Sequence, residues 1–409
     1  MKILIVSQYY YPEQFQINEI APELVKRGHD VTVLCGVPNY PKGVVYNGYA
    51  TKNERLQAEA EYFRQTGVKV MHCNQIPRGH NPLQLILNYI SFVHNSRAVV
   101  QKMVAHERAK YDIVLGYQLS PITSMYAALE YKKLTGGPVV YYTLDLWPVS
   151  AQSQIHNTKN PLYRLVARMS RQLYAGADKI LVTSRPFIDY LHDVNNISFD
   201  RMAYLPQHAG EEMLDMDLRA EENGIADFMF AGNIGAGQRI DVIVAAARIL
   251  GPRPDYRIHI VGDGSKRKEL EAEVVAEGLQ DNVVFYGNQK RADMPSFYKK
   301  ADALLITLRG NNEVGNTMPG KMQMYMTTGK PVFGAINGAA NEVINESRCG
   351  SCVRAGDAEG LAAIMKDFIG HPESYKDCGK NARAYFKNHF TLDHFMDGLE
   401  RELNSLVKY

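Results

Sequence analysis

The sequence predicts an α/β protein made of two doubly wound, parallel-sheet domains. Short apolar runs alternate with helical stretches along the chain, as expected for strands that a parallel sheet buries on both faces. The alternation stops once, at the polar and acidic segment 210–224, and then begins again. We therefore expect a first domain at 1–209, a second at 210–384, and a final helical segment, 385–409, whose pattern allows a return to the first domain.

The first half opens with a βαβ unit. Residues 2–6 (KILIV) predict a buried strand, 16–26 a helix closed by Gly28, and 31–34 a second strand. The alternation continues with strands at 68–71, 112–115, 139–142, 180–183 and 202–205 and with helices at 83–107 and 123–134. Open parallel sheets bind ligands at the carboxyl ends of their strands, so functional residues are expected directly after these strands.

The second half repeats this pattern. Its predicted strands are 228–231, 256–261, 283–286, 303–308 and 332–335, and its predicted helices are 240–250, 269–277 and 294–299. A short helix opens near Pro319 and stops at Gly329, because Pro331 forbids its continuation. The resulting prediction is two sheets of similar size that face a central cleft.

Size and charge restrict the class of protein. The chain has 409 residues and a hydrophobic content of 45%, which is enough for two large cores. With 46 basic and 44 acidic residues, the net charge of +2 argues against nucleic acid as the main partner. The first strand starts at once, and no apolar run reaches about 18 residues, so neither a signal peptide nor a membrane span is indicated. We expect a cytoplasmic protein.

The metal-ligating residue types are sparse. Cys349 and Cys352 form a C-x-x-C, but no second pair completes a zinc site, so we expect reduced structural thiols among the five cysteines. The histidines are scattered, without an H-x-x-x-H pair. There is also no G-x-S-x-G elbow and no P-loop lysine motif, which argues against the common hydrolase and P-loop classes.

An anion site is indicated at the helix that opens near Pro319. Lys321 lies in its first turn, where free backbone N–H groups and the positive end of the helix dipole favour a phosphate. The alternative for Lys321 is a solvated surface lysine.

A glycine-rich turn follows the first strand of the second half. Gly232, Gly235 and Gly237 let backbone amides approach an anion, although their spacing is not that of the dinucleotide motif G-x-G-x-x-G. Gly262, in the sequence VGDG, ends the next strand in the same way. Arg239 could clamp a diphosphate through two N–H groups, or it is a surface arginine at a helix start.

In the first half, polar groups follow two neighbouring strands. Asp145 and Trp147, the only tryptophan, come after the strand at 139–142, and Gln118 and Ser120 follow the strand at 112–115. A carboxylate at this edge can accept a proton or bind sugar hydroxyls, and an aromatic ring offers a face to a sugar or lipid. Asp145 as a helix cap is the structural alternative.

Several segments, taken in order, resemble the retaining glycosyltransferases of family 4. The segments are 7–43 (SQYYYPEQFQINEIAPELVKRGHDVTVLCGVPNYPKG), YQLSPIT at 117–123, LDLWP at 144–148, FAGNIG at 230–235, VGDG at 261–264, P-x-K-x-x-x-Y-M-x-x-G-K-P-V at 319–332 and CGSCVRAGDAEGLA at 349–362. The bacterial branch that transfers N-acetylated amino sugars during surface-polysaccharide assembly, such as the N-acetyl-fucosamine transferases, is the most similar. The resemblance implies the GT-B fold, two Rossmann-like domains around a cleft.

The resemblance also implies what each domain binds. The second domain is expected to hold a UDP-sugar donor, which is a substrate, with no cofactor and no metal. Catalysis is then assigned to Asp145, Arg239 and Lys321. The expected donor-binding residues are Gly232, Asn233, Gly235, Gln238, Gly262, Gly287, Asn288, Glu313, Asn316 and Pro319. Gly287 and Asn288 lie beside the base in this assignment.

Four positions depart from the family pattern, and one of them is Val149, where the DLWPES of this branch has a glutamate. Many relatives have a lysine where Gln238 stands, which leaves Arg239 as the candidate for the phosphate charge. Many also carry a pair of glutamates, and those positions are here Asn316 and Met324. Glu313 or Asn316 is then expected to take over the contact with the donor sugar.

The acceptor is expected in the first domain. The residues assigned to it are Gln118, Ser120, Trp147, Tyr11 and Glu13. The resemblance implies a polyprenyl-diphosphate-linked saccharide at the inner face of the cell membrane. The segment 55–110 supports this, because basic residues (Arg64, Lys69, Arg78, Arg97, Lys102 and Arg108) alternate with apolar ones (Phe63, Leu83, Leu85, Ile86, Tyr89 and Phe92). An ordinary amphipathic helix is the alternative.

Two other functions suit the same architecture. One is an epimerase or hydrolase that acts on a UDP-sugar without an acceptor, and it would need a cluster of histidines and carboxylates that the sequence does not reveal. The other is a sugar-nucleotide-binding subunit without catalysis, which the missing glutamates would allow.

Overall fold

A computed structural model describes residues 1–79, 81–106, 110–153, 155, 157–310 and 318–407. The chain divides into two units. Unit 1 contains residues 1–205 and 396–409, and unit 2 contains residues 206–395. Each unit is built on one parallel sheet with helices packed against it, so the predicted α/β fold class is confirmed.

Unit 1 has a seven-stranded sheet in which all neighbours are parallel. The strand order is β3-β2-β1-β4-β5-β6-β7. The strands are β1 (Lys2–Val6), β2 (Asp30–Gly36), β3 (Lys69–Cys73), β4 (Ile113–Gln118), β5 (Val139–Thr143), β6 (Lys179–Val182) and β7 (Met202–Tyr204). The central strands β4 and β5 are buried along their whole length, as their continuous apolar runs predict.

In the described residues, six helices belong wholly to unit 1. They are α1 (Ile17–Lys26), α2 (Lys52–Thr66), α3 (Pro82–Ala105), α4 (Tyr126–Thr135), α5 (Pro161–Gly176) and α6 (Pro186–Asn195). The sequence analysis did not identify α2, α5 or α6. A local signal for α2 exists, because Thr51 and Glu54 form a reciprocal capping box at its start.

Unit 2 has a six-stranded parallel sheet in the order β10-β9-β8-β11-β12-β13. Its strands are β8 (Ala226–Ala231), β9 (Tyr256–Val261), β10 (Val283–Gly287), β11 (Ala303–Thr307), β12 (Val332–Ala335) and β13 (Gly350–Val353). Its helices are α7 (Ile240–Leu250), α8 (Arg267–Ala276), α9 (Met294–Lys300), α10 (Gly320–Thr328), α11 (Ala339–Ser347), α12 (Ala358–Gly370) and α13 (Cys378–His389). The sequence pattern did not predict strand β13 or helix α12.

The helical segment expected at 385–409 is divided between two helices. Helix α13 ends at His389, and α14 (Leu392–Asn404) begins after a break at Phe390 and Thr391. The hydroxyl oxygen of Thr391 accepts a hydrogen bond from the backbone N–H of His394 at 3.2 Å, which caps the start of α14. The buried ring of Phe390 occupies the break.

Helix α14 contributes its second half to unit 1. Arg27, just after α1, donates hydrogen bonds to the carboxylates of Asp397 at 2.6 Å and Glu400 at 2.8 Å. The ring of His29 also contacts Glu400, at 2.6 Å. Met396, Leu399 and Leu403 on the same helix are buried.

Candidate functional site

Three glycine turns meet at the carboxyl ends of neighbouring strands in unit 2. Gly232 follows β8, Gly262 follows β9 and Gly287 ends β10, each with a positive φ of 148°, 138° and 69°, respectively. The N–H of Gly232 donates to the carbonyl of Val261, and the N–H of Gly262 donates to the carbonyl of Gly287, both at 2.9 Å. The predicted donor-binding glycines therefore lie in consecutive, hydrogen-bonded turns.

The turns after β8 and β9 lie so close together that only glycine fits at position 262. A Cβ atom at Gly262 would lie 1.8 Å from the carbonyl oxygen of Gly232, and the φ of Gly262 is itself unfavourable for other residues. Gly264 is restricted in the same way, because its Cβ would lie 2.4 Å from the carbonyl oxygen of Ile234. The VGDG sequence is thus explained by backbone packing as well as by access for an anion.

The Lys321 side chain lies at this edge of the sheet. Its ammonium donates a hydrogen bond of 2.5 Å to Oε1 of Gln238 and lies 3.9 Å from the centre of the Phe230 ring. A Cβ at Gly232 would be only 2.9 Å from the same ammonium. Lys321 is therefore not the solvated surface lysine of the alternative interpretation.

Burial sets the charge state of this lysine. It lowers the pKa of Lys321 to about 7, because an ammonium loses hydration when it is buried. In the described part of the chain, no carboxylate lies within ion-pairing distance of the ammonium. An ammonium in such a place gains most from an anionic ligand.

The Arg239 guanidinium has a different partner. It donates to both carboxylate oxygens of Asp241, at 3.0 Å from Nε and 2.8 Å from a terminal nitrogen, and these hydrogen bonds raise its pKa. Its backbone adopts a left-handed conformation, with φ of 52°, directly before α7. The structure does not bring Arg239 into contact with Lys321, and a role in binding phosphate requires exchange of Asp241 for the ligand.

Backbone hydrogen bonds hold the glycine-rich turn against the end of β11. The carbonyl of Gln238 accepts from the Thr307 hydroxyl at 2.6 Å, and the carbonyl of Gly237 accepts from the N–H of Arg309 at 2.9 Å. Gly235 precedes a short 3-10 turn at Ala236–Gln238, and Asn233 is exposed beside it.

Several predicted donor residues remain predictions. Pro319 lies directly before the first residue of α10, as the sequence pattern indicated for a helix start. Asn288 is exposed after β10. Glu313 and Asn316 lie outside the described residues. Met324, where the resemblance implied a glutamate, is half-buried and accepts a hydrogen bond of 3.5 Å from the hydroxyl of Tyr298.

A second cluster forms in unit 1 at the carboxyl ends of β4 and β5. The amide nitrogen of Gln118 donates to the backbone carbonyl of Asp145 at 3.0 Å, and the indole N–H of Trp147 donates to the Ser120 hydroxyl at 3.1 Å. Four residues predicted from two separate segments are therefore in one place. Tyr174 of α5 completes the cluster, since its hydroxyl donates to Oε1 of Gln118 at 3.3 Å and accepts from the N–H of Trp147 at 3.2 Å.

The Asp145 carboxylate has one side-chain hydrogen-bond partner and keeps part of its exposure. The Ser150 hydroxyl donates a short hydrogen bond to Oδ1, from the 3-10 helix Val149–Ser153 that follows. That bond gives Asp145 some of the structural role that the capping alternative assigned to it. The residue is half-buried, so the carboxylate remains accessible.

Glu13 and Tyr11 have local roles in the loop after β1. Glu13 is fully buried, and its carboxylate accepts from the N–H groups of Asn39 and Tyr40 at 2.6 Å and of Tyr10 at 3.3 Å. Burial raises its pKa to about 7. The ring of Tyr11 stacks on Tyr62 with centroids 4.4 Å apart. Their predicted contacts with an acceptor remain predictions.

Carboxylates pair with several basic side chains of the segment 55–110, so this segment has less free positive charge than its composition indicates. Arg64 pairs with Glu61, Lys69 with Asp30 at 3.0 Å, and Arg97 with Glu130 at 2.7 Å. Phe92 is buried in the core, and Arg108 lies outside the described residues. The exposed feature is instead an apolar stripe on α3, formed by Leu83, Ile86, Leu87 and Ile90. Their spacing of three and four residues places them on one helix face.

The described residues offer neither a membrane span nor a metal centre. No helix there is both long and apolar enough to cross a membrane. Within the same residues, no group of three or more His, Cys, Asp or Glu side chains could hold a metal ion. The five cysteines are free thiols, and burial raises the pKa of Cys349 to about 12.

Two family models match the chain, one in each of its halves. Residues 14–208 match the glycosyl transferase 4-like domain, and residues 219–385 match the family described as glycosyl transferases group 1. The putative colanic acid biosynthesis glycosyl transferase WcaI of Escherichia coli K12 is 23% identical over 355 residues, which cover 80% of this chain and 82% of that protein.

Two further proteins are similar in sequence or in fold. The O-antigen chain mannosyltransferase C of Escherichia coli is 24% identical over 241 residues, 58% of each chain. The crystal structure of Anabaena Alr3699/HepE in complex with UDP superimposes with a TM-score of 0.67 at 17% identity, covering 99% of both chains.

Proposed function

The chain belongs to the GT-B glycosyltransferases, and from that premise we propose that it is a retaining enzyme that moves an N-acetylated amino sugar from a UDP-sugar to a lipid-linked saccharide. Its relatives include glycosyltransferases of colanic acid and O-antigen assembly. The proposed pathway is therefore bacterial capsule, O-antigen or exopolysaccharide biosynthesis. The observation that carries the proposal is the half-buried Lys321 ammonium beside the glycine turns, without a carboxylate partner among the described residues.

Unit 2 holds the donor in this proposal. The glycine turns after β8 and β9 leave open space beside the Lys321 ammonium, and this place suits a diphosphate. HepE, which has the same fold, has been crystallised with UDP. Gln238 stands where many relatives carry a lysine, and Lys321 reaches the side chain of Gln238 from α10. Lys321 thus supplies, from another helix, the charge that position 238 lacks.

The chemical step proceeds on one face of the sugar. The bond between the anomeric carbon and the donor's diphosphate oxygen breaks, and a bond to the acceptor hydroxyl oxygen forms on the same side. The acceptor's proton passes to the departing phosphate oxygen. Lys321 and, once released from Asp241, Arg239 stabilise the negative charge that develops on the diphosphate.

Unit 1 holds the acceptor. Asp145 accepts a hydrogen bond from the acceptor hydroxyl and orients it, while Gln118, Tyr174 and Ser120 fix the segment that carries Asp145 and Trp147. The ring of Trp147 offers a flat apolar surface to a sugar.

The acceptor's lipid places the enzyme on the cytoplasmic face of the inner membrane. The apolar stripe on α3 is the surface that supports this part of the proposal, since Leu83 is 68% exposed and Ile90 is 59% exposed. The ion pairs of Arg64, Lys69 and Arg97 leave less free positive charge than the sequence indicated, so apolar insertion contributes more than attraction to anionic lipids.

A transfer assay with several donors tests the function. The purified chain is incubated with UDP-N-acetyl amino sugars and with UDP-hexoses, with and without a polyprenyl-diphosphate-linked saccharide. We expect a glycosylated lipid product only with an N-acetylated donor, with the anomeric configuration of the donor retained by NMR. Consumption of donor without acceptor would instead indicate a hydrolase or epimerase, and UDP binding without turnover would indicate a non-catalytic subunit.

A further inference from the structure

Arg78 is held among tyrosines in the loop that follows β3. A terminal nitrogen of its guanidinium donates to the hydroxyl of Tyr9 at 3.1 Å, and the Tyr89 hydroxyl is a second partner. The guanidinium carbon lies 5.4 Å from the centre of the Tyr40 ring. Tyr9 and Tyr40 also contact each other, with ring centroids 5.1 Å apart. We call this group, Arg78 with Tyr9, Tyr40 and Tyr89, the tyrosine cage.

A hydrogen bond and a close backbone contact hold the main chain of Arg78 in place. Its N–H donates to Oδ1 of the buried Asn39 at 2.7 Å. Its carbonyl oxygen fits against Gly43, where a Cβ would lie only 1.7 Å away. The side chain is thus presented from a rigid loop, which reduces the entropy lost when a ligand binds.

The cage lacks the carboxylate partner that Arg27 and Arg97 of this unit have. Arg97 pairs with Glu130 and Arg27 pairs with Glu400, whereas no carboxylate in the described ranges pairs with Arg78. Glu13 is nearby, but backbone amides occupy both of its oxygens. A guanidinium has five N–H donors, and the two tyrosine hydroxyls leave several of them available.

Tyr9 and Tyr89, the two tyrosines that bond to Arg78, are neutral at physiological pH. Burial raises the pKa of Tyr9 well above its ordinary value, and burial also raises that of Tyr89. The tyrosines therefore orient Arg78 without cancelling its charge. A half-buried guanidinium that keeps its charge is suited to a carboxylate or a phosphate, because two of its N–H groups can donate to two oxygens of the anion.

The position of the cage connects it to the proposed acceptor site. Tyr89 lies on α3 and bonds to Arg78, and its pKa is also raised by the charge of Asp145. The Tyr89 hydroxyl therefore lies within electrostatic range of both Arg78 and Asp145. On the same helix, the exposed apolar stripe begins at Leu83, six positions before Tyr89.

We propose that Arg78 binds the diphosphate that joins the acceptor's sugar to its lipid, and that it selects diphosphate-linked acceptors over neutral ones. This inference rests on the proposed function for the identity of the acceptor. Arg78 acts as a specificity residue: it contacts the diphosphate, while Asp145 contacts the hydroxyl that is glycosylated.

Two acceptors with the same saccharide test the selection. One carries a polyprenyl diphosphate and the other a neutral alkyl chain. We expect Arg78→Met to lower kcat/KM with the diphosphate acceptor on the order of a hundredfold, through acceptor KM, and to change it less than about threefold with the neutral one. Arg78→Lys keeps the charge but not the two-pronged geometry, and an intermediate loss is expected. Arg168→Met, at an exposed arginine of α5, is the matched control.

A binding measurement separates the inference from the proposed function. Geranyl diphosphate is titrated by calorimetry into the chain in the presence of saturating UDP, with glycerol 3-phosphate as a mimic of a lipid headgroup. Binding of geranyl diphosphate that Arg78→Met weakens at least thirtyfold, without competition from glycerol phosphate, supports the inference even if no transfer occurs with any donor.

Three results would overturn the assignment of Arg78. They are equal binding of geranyl diphosphate by wild type and Arg78→Met, tighter binding of glycerol phosphate than of geranyl diphosphate, and an equal loss of transfer to both acceptors. The last would mean that the tyrosine cage only maintains the shape of the acceptor site. A failure of transfer with intact, Arg78-dependent binding would count against the proposed function alone.

Discussion

At the scale of single residues, the two proposed sites depend on charges whose partners come from distant parts of the chain. Lys321 reaches Gln238 across 83 positions of sequence, and Gln118 reaches Asp145 across 27. Residue types and strand ends indicated which side chains to consider. The hydrogen bonds then show that Lys321 is available for an anion, whereas Arg239 is occupied by Asp241.

Replacing Lys321 tests the charge at the glycine turns. We expect Lys321→Ala to lower turnover on the order of a hundredfold or more with the fold intact, because the leaving diphosphate loses a buried cation. The measurement is the transfer rate at saturating donor. Lys268→Ala, at an exposed lysine of α8, is the control and should retain the wild-type rate. An unchanged rate in Lys321→Ala would remove this residue from the mechanism.

The same residue predicts a pH dependence of UDP binding. Burial lowers the pKa of free Lys321 to about 7, so the lysine must take up a proton to bind a diphosphate at higher pH. Affinity for UDP should therefore fall as pH rises above 7, by up to about tenfold per unit. In Lys321→Arg the guanidinium stays charged, and the dependence between pH 7 and 9 should disappear. Calorimetry across this range measures both, and parallel curves would contradict the assignment.

Asp145 is expected to act on the acceptor only. Asp145→Asn should lower transfer by at least about tenfold while leaving the Kd for UDP unchanged, because the residue lies in unit 1 with Gln118 and Trp147. Asp193→Asn, at an exposed position of α6, serves as the control. An equal loss of UDP affinity in Asp145→Asn would exclude the proposed role.

At the scale of elements, strand ends and helix starts place the chemistry, and glycines decide how closely these elements approach. The turns after β8 and β9 touch through backbone alone, which no side chain other than hydrogen allows. Helix α3 shows a different effect, since its first half carries an apolar face that the core of unit 1 does not cover.

A substitution at Gly262 should disrupt the turn. Gly262→Ala adds a Cβ that would lie 1.8 Å from the Gly232 carbonyl oxygen at a φ of 138°, so we expect a loss of about 2–4 kcal/mol in the free energy of unfolding and loss of UDP binding. Gly370→Ala, at the last residue of α12 with open space around it, should change stability by less than about 1 kcal/mol. Chemical unfolding of both variants measures the difference, and equal stability would show that the turn can adjust.

The α3 stripe predicts binding to lipid vesicles. We expect the double variant Leu83→Ser with Ile90→Ser to reduce co-sedimentation with phosphatidylethanolamine–phosphatidylglycerol vesicles about tenfold or more, because two exposed apolar side chains no longer insert. The matched control changes two equally exposed leucines of α5, Leu162→Ser with Leu165→Ser. Equal losses in the two variants would show that exposed apolar residues of this unit bind lipid without regard to position.

At the scale of the whole molecule, each unit has its own sheet and core, and the last helix links the ends of the chain. The second half of α14 packs in unit 1, far in sequence from the α1 region that it contacts. Burial opposes ionisation of Glu400, but the hydrogen bonds from Arg27 and His29 lower its pKa below the usual value.

Neutralising Glu400 should destabilise unit 1. We expect Glu400→Gln to cost about 1–3 kcal/mol, because the pair with Arg27 is partly buried, and Asp397→Asn to cost less than about 1 kcal/mol, because Asp397 is 71% exposed. The lowered pKa of Glu400 means that its contribution is present above pH 4.5 and is lost as the pH falls below. Fluorescence of Trp147, the only tryptophan, reports unfolding of unit 1. A larger effect of Asp397→Asn would contradict the prediction.

The sequence alone determined the local and periodic features. Continuous apolar runs fixed strands such as β4 and β5, and polar residues after them identified Gln118 and Asp145, because parallel strands end at one edge of a sheet. Helix α2 has no clear apolar periodicity, because charged and polar residues interrupt it, whereas α5 and α6 each have a distinct apolar face from which they could have been predicted.

Only the tertiary structure decided which charged groups are free and which are paired. Arg239, Arg64 and Arg97 are neutralised by carboxylates, whereas Lys321 and Arg78 face aromatic rings and neutral oxygens. The break between α13 and α14 was also decided there. The physical reason is that burial and partner choice depend on contacts between segments far apart in the chain, and the sequence pattern records only which face of each segment is apolar.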